Sequence, residues 1–205
     1  MAGDHEGAAR LGAQALVLGR RADDPNARLH VLIQEIQVLV DAGRVDRFDR
    51  SLVGSSIAES PAAWAWKAWL AWVEAESGDR TAALALVEEL DRDGFAAVAL
   101  DANWHAVADL CEALASLGAD QAERARRLHE RLAPYAGLIG VAGRAAACYG
   151  PLDHHLGLLA TVAGDRAGAV AHFERAVEIC ERIGAVPRSA QSRARLVEAR
   201  AAIRP

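Results

Sequence analysis

Four glycines punctuate the chain: Gly43, Gly78, Gly118 and Gly164, at intervals of 35, 40 and 46 residues. Each follows one amphipathic segment and precedes another. A glycine just past a helix end adopts the left-handed conformation without a Cβ penalty, so it can stop one helix and turn the chain into the next. Gly78-Asp79-Arg80 and Gly164-Asp165-Arg166 add an Asp placed to cap the following helix. Ser60-Pro61 and Asp101 mark two further helix starts. This spacing fits helix–turn–helix repeats of about 34 residues with inserted linkers.

The segments between the glycines carry a helical rhythm. Leu29, Leu32, Ile33, Ile36, Leu39 and Val40 follow the i, i+3, i+4, i+7 pattern. Alanine, the best helix former, supplies 47 of 205 residues, and aromatics only 5%. The expected fold is all-α, a right-handed solenoid of tetratricopeptide-like helix pairs with about ten helices. One helix is expected at 6–22. Pairs follow at 27–42 with 45–58, 61–77 with 80–92, 102–117 with 120–133 and 151–163 with 166–183, and a last helix at 187–203. Segment 135–150, rich in Gly and Ala, is expected as a loop or short helix. The 205 residues form one domain: a partial repeat at 1–24, repeats at 25–59, 60–100, 101–150 and 151–186, and a cap at 187–205. The unpartnered first helix makes a fragment or truncated descendant of something longer one expectation.

The last unit has the best repeat pattern. Gly157, Gly164, Ala169, Phe173 and Ala176 fall at the five spacings of a tetratricopeptide repeat. Gly157 and Ala169 let two helices approach closely, and Phe173 and Ala176 fill the layer beside them. The unit around Gly78 keeps Leu70 and Ala83 but loses the Gly and Phe, and those around Gly43 and Gly118 keep little more than the turn and the apolar rhythm.

Several functions are disfavoured by residue types. Positive charge comes from 22 Arg and one Lys, Lys67, which sits in Trp66-Lys67-Ala68-Trp69. A phosphate-binding P-loop needs a Lys after a Gly-rich stretch, so ATP binding is not expected. Net charge is −5, which weighs against nucleic acid as a partner. The Arg-rich end (Arg188, Arg193, Arg195, Arg200, Arg204) alternates with apolar residues and fits the face of a capping helix. Cys111, Cys148 and Cys180 are odd in number and far apart, as reduced core thiols are. No apolar leader or membrane-length run occurs, so a cytoplasmic location is expected. Cys-x-x-Cys and His-Glu-x-x-His are absent, so no metal and no cofactor are expected. Gly54-Ser55-Ser56 lacks the strand context of a serine-hydrolase elbow.

Nearly the whole chain resembles the C-terminal helical-repeat region of large actinobacterial ATPase regulators of the LuxR-type and nucleotide-cyclase-associated kinds. Three stretches carry the resemblance. One is Asp93-Gly94-Phe95 with Asp101-Ala102-Asn103-Trp104. Another is Leu132-Ala133-Pro134-Tyr135-Ala136-Gly137 with Cys148-Tyr149-Gly150. The third is Leu156-Gly157-Leu158-Leu159-Ala160, then His172-Phe173-Glu174-Arg175-Ala176, then Gly184-Ala185-Val186-Pro187. The resemblance implies a sensor or protein-interaction arm rather than the part that performs chemistry. The ATPase and DNA-binding modules of such regulators have no counterpart in these residues. Trp66, Trp69 and Trp72 stand where such regions usually carry Ala or Leu.

Those tryptophans are the most unusual feature. With Trp64 they cover more than half the circumference of one helix at 100° per residue. Core filling is the plain explanation; the functional one is an aromatic wall of a groove. In a tetratricopeptide solenoid the first helix of each pair lines the concave face. The glycine register then places His30, Gln37 and Asp41 there, followed by Trp72 and Glu76. The third pair adds His105, Glu112 and Ser116, and the fourth His154, Leu158 and Thr161. The candidate ligand-binding residues are therefore Trp66, Trp69, Trp72, Glu76, His105, Glu112 and His154, with no catalytic residue assigned. The function expected is non-enzymatic binding of a protein segment or small effector, with a homo-oligomer left open. The rival is an enzyme or small-molecule binder of actinobacterial secondary metabolism, with the tryptophans shaping a pocket and His and Glu supplying acid–base chemistry.

Overall fold

A computed structural model describes residues 4–24, 27–48, 63–98, 100, 104–142 and 147–202. Among them are nine α-helices and one two-stranded sheet. In chain order the helices are α1 (His5–Arg21), α2 (Ala27–Asp41), α3 (Ala63–Glu76), α4 (Arg80–Leu90), α5 (Trp104–Leu117), α6 (Ala122–Leu132), α7 (Leu152–Val162), α8 (Arg166–Ile183) and α9 (Val186–Ala201). The strands β1 (Ile139–Ala142) and β2 (Ala147–Pro151) lie between α6 and α7. Of the expected helix at 45–58, Val45–Arg47 form a 3-10 turn that ends in extended backbone at Phe48, and the rest lies outside the described residues. Residues 49–62, which include Ser60-Pro61, lie outside the described residues, as do Asp101 and Arg204.

The glycine–aspartate punctuation works locally as the sequence implies. Gly78 and Gly164 both have positive φ, +86° and +82°. Asp79 accepts a hydrogen bond from the Ala82 amide, and Asp165 from the Gly168 amide. Each side chain thereby satisfies one of the orphan donors at a helix start.

Packing runs from helix to helix along the chain. α3 packs against both α4 and α5, α5 and α6 against α7, α7 against α8, and α8 against α9. The all-round apolar sequence of α3 explains its central place: Ala68, Ala71 and Val73 are fully buried and Trp69 nearly so. Trp69 stands edge-on to Phe48 at 5.3 Å and to Trp72 at 5.4 Å. Ten of the eleven residues of α7 are buried. The α1–α2 pair joins the rest through α2, whose Ile36 and Val40 enter the main core and which also meets β2 and the 45–47 turn.

The expectation of a loop or short helix at 135–150 is corrected. β1 and β2 pair antiparallel, with Ile139 opposite Pro151 and Ala142 opposite Ala147, and an irregularity between Gly140 and Val141. Alternation exists but spans only four residues: Gly140 and Ala142 turn inward while Val141 is exposed. Space is tight at Gly140, where a Cβ would lie 3.3 Å from a Leu152 methyl. Gly150 has φ +82°, and the Arg188 stem occupies the place a Cβ would take. Ala142 and Tyr149 pack with Ala108 of α5 and Ile33 of α2, so the hairpin fills the space between those helices.

Gly157 has a tight packing role. A Cβ there would lie 2.7–2.9 Å from the ring of Phe173, which is itself buried. The glycine on α7 thus admits the aromatic ring of α8. Gly157→Ala should cost about 1–3 kcal/mol through overpacking, and Phe173→Ala about 3–5 kcal/mol through a cavity. Once the ring is gone the methyl has room, so the double variant should lose less than the sum of the two. Denaturant unfolding of the three variants measures this. Strict additivity would show that the two residues do not share the site.

Candidate functional site

The structure brings Trp72 and Glu76 of α3, Glu112 of α5 and His154 of α7 to one cavity of about 380 Å³. The remaining wall comes from Val40, Gly43 and Val45 on one side, and from Arg188, Gln191, Ala194, Arg195 and Glu198 of α9 on the other. Three of the seven candidates lie elsewhere. Trp69 is 2% exposed in the core, and Trp66 packs half-buried against that core. His105 turns toward the β-hairpin, its ring 6.1 Å from that of Tyr149. Burial lowers the His105 pKa to about 4. Core filling accounts for Trp66 and Trp69, while Trp72 both packs on Trp69 and reaches the cavity.

The floor of the cavity is a buried polar cluster. His154 is 2% exposed, and its Nδ1 is 2.9 Å from the Ser192 hydroxyl. Its Nε2 lies 3.6 Å from Glu112 Oε1, and Arg188 Nη1 approaches the same oxygen at 3.5 Å. Burial by itself would raise the Glu112 pKa. The contact with His154 and the charge of Arg188 outweigh it and hold this carboxyl below its ordinary range. Burial lowers the His154 pKa, against the pull of Glu112. The cluster therefore contains a carboxylate, a guanidinium and a neutral imidazole. Beside it, burial raises the Asp109 carboxyl well above its usual range, with the nearby Glu112 charge adding to the effect.

The upper part of the cavity is differently charged. Arg195 Nη1 is 3.1 Å from Glu198 Oε2. Glu76 accepts a hydrogen bond from the Ser116 hydroxyl and has no cationic partner among the described residues. Both signs of charge thus face a space large enough for a small molecule, beside an indole.

Sequence reasoning missed the contribution of α9. Arg188, Gln191, Ser192 and Arg195 repeat at i, i+3, i+4 and i+7, a polar stripe at helical spacing. Read against an Arg-rich capping face, this stripe looked solvated. Instead Arg188 is 5% exposed and Ser192 fully buried. Arg193 and Arg200 do lie outward, paired with Glu181 and Glu174.

A second polar cluster joins α7 to its neighbours. Asp153 is fully buried and accepts from the Gly137 amide at 2.6 Å, from His172 Nδ1 at 3.1 Å and from Arg175 at 3.2 Å. The other ring nitrogen of His172 lies 3.3 Å from His129 Nε2. Among the described residues, no group of three or more His, Cys, Asp and Glu side chains is placed to hold a metal ion. No helix there is long and apolar enough to cross a membrane. Cys111 and Cys180 are buried free thiols, and Cys148 is half-buried. A comparison of the chain with family models, curated proteins and solved structures gives no match.

His155, beside His154, gives the fold a pH dependence. Its ring is 1% exposed and neither ring nitrogen has a side-chain partner. Burial, followed by the neighbouring His154, lowers its pKa to about 3 from an unfolded value near 6.5. The unfolded chain then binds a proton that the fold refuses, so stability falls as pH drops below about 6.5. At pH 5 this one group should cost about 2 kcal/mol relative to pH 7.5. His155→Leu should shrink the stability difference between those two pH values by that amount. Urea titrations at pH 7.5 and 5 test it; an unchanged difference would refute the assignment.

Proposed function

We propose that the chain is a non-enzymatic, tetratricopeptide-like regulatory module that binds a small zwitterionic effector between α3, α5, α7 and α9. The observation that carries this is the pairing of unlike charges around one cavity. Glu76 lacks a cation on one side, and Arg188 and Arg195 stand on the other, with Trp72 between the polar groups as an apolar surface. An ammonium at Glu76 and Trp72 and a carboxylate at Arg195 would complement both ends.

A right-handed solenoid suits the sequential packing of α3, α5 and α7 and the glycine–aromatic fit of α7 on α8. The proposed kinship with the helical-repeat arms of actinobacterial regulators rests on the sequence stretches quoted above. A small effector is favoured over an extended protein segment because side chains of α9 reach across the face. Gln191 Nε2 donates to the Val40 carbonyl at 3.3 Å, and Ser192 meets His154. Acid–base catalysis by Glu112 and His154 is the competing reading, prompted by their 3.6 Å approach. It is the weaker one, because the imidazole is buried and its Nδ1 is already engaged by Ser192.

Titration of the ¹⁵N-labelled protein with free α-amino acids, ω-amino acids and betaines tests the proposal. At least one should shift the amides of Trp72, Glu76 and Arg195. Glu76→Gln, which keeps an acceptor for Ser116, should weaken that binding about fivefold or more. Shifts confined to other regions, or an extended peptide bound across α3 and α5 with these amides unmoved, would overturn it.

A further inference from the structure

A second cavity, larger at about 650 Å³, takes no part in the reading above. It opens between α1, α2, the β-hairpin and the end of α8. Its volume lies within the ordinary range of small-molecule sites. One wall is aliphatic, built from Leu11, Val38, Ile139 and Val141, with Ile183 below. Leu11 is 57% exposed and Val141 36%, so this wall leaves apolar area open to water.

The polar lining is one-sided. Asp4 and Asp41 supply carboxylates, and no Lys or Arg occurs among the described lining residues. Gln37 spends its amide nitrogen on Asp41 at 2.7 Å, and its Oε1 has no donor. His5 Nε2 is also without a partner. Asp4 accepts from the Gly7 amide as the cap of α1. The lining thus carries carboxylates and an unpaired amide oxygen, with Gln34 and His5 as side-chain N–H donors and no cation among its described residues. A guest that complements it brings apolar surface, N–H donors and a positive charge.

We propose that this cavity binds an apolar organic cation. Its hydrophobic body lies on Leu11, Val38, Ile139 and Val141, and its ammonium is drawn to Asp41 and Asp4. The aliphatic wall supplies affinity, and the carboxylates select charge.

Cys148 provides the readout. It lines the cavity half-buried, while the other two thiols are buried. The experiment measures the rate at which methyl methanethiolsulfonate, a small neutral thiol reagent, modifies Cys148 in the native full chain. Three probes share one apolar body: 4-phenylbutylamine, 4-phenylbutanol and 4-phenylbutyrate. The amine should protect Cys148 at the lowest concentration, the alcohol at a higher one and the carboxylate least. Asp41→Asn and Asp4→Asn should each reduce the preference of amine over alcohol by about two- to fivefold. Asn keeps an acceptor for Gln37 and remains a good helix cap, so thermal unfolding should stay unchanged. Equal protection by all three probes would show an apolar site without charge selection and overturn the proposal. So would stronger protection by the carboxylate, no protection by the amine, or a preference that survives both substitutions. None of these outcomes bears on the Glu76 cavity, whose test reads different residues.

Discussion

Burying α7 on every side is the constraint around which the other elements are arranged. A helix sunk among its neighbours buries its own polar side chains too, and α7 begins Leu152-Asp153-His154-His155. An unpartnered charge there would cost several kcal/mol. Asp153 and His154 therefore each dictate something next to them. Asp153 draws in the Gly137 amide, His172 and Arg175, which fixes the entry to the β-hairpin and the rotation of α8. His154 faces Glu112 and Ser192, which fixes α5 and α9. Arg188 neutralises Glu112, and its stem passes so close to Gly150 that only glycine fits. Glu112, His154 and Arg188, which help make the burial of α7 tolerable, also line the Glu76 cavity.

This dual use explains the chemistry of the two cavities. The Glu76 cavity inherits paired charges from the core and so presents both signs. The Asp41 cavity lies between α1, α2 and the hairpin and is lined by aliphatic side chains and two carboxylates, of which Asp41 also borders a small neighbouring cavity with Arg188. Lining composition follows from what each cavity borders.

Legibility from the sequence tracks the range of the interactions. The caps at Asp79 and Asp165 were plain because they act across three residues. The convergence of Trp72, Glu76, Glu112 and His154 followed from helical periodicity and a common register for successive helices. His105 was misplaced because it sits seven residues before Glu112, where α5 has moved past the cavity and meets the β-hairpin. That hairpin was invisible, since two strands of four and five residues are too short for a period of two to stand out. The inward stripe of α9 carried a legible period, but the side it would face depended on a partner many residues away.

One such distant contact changes how the whole chain should respond to stress. Helices that touch only their neighbours form an elastic row, in which either end can fray without telling the other. Here Gln191 near the end of the chain grips the carbonyl of Val40, 151 residues earlier. The contact ties α9 directly to α2, so a disturbance at one has a route to the other that does not cross the helices between them.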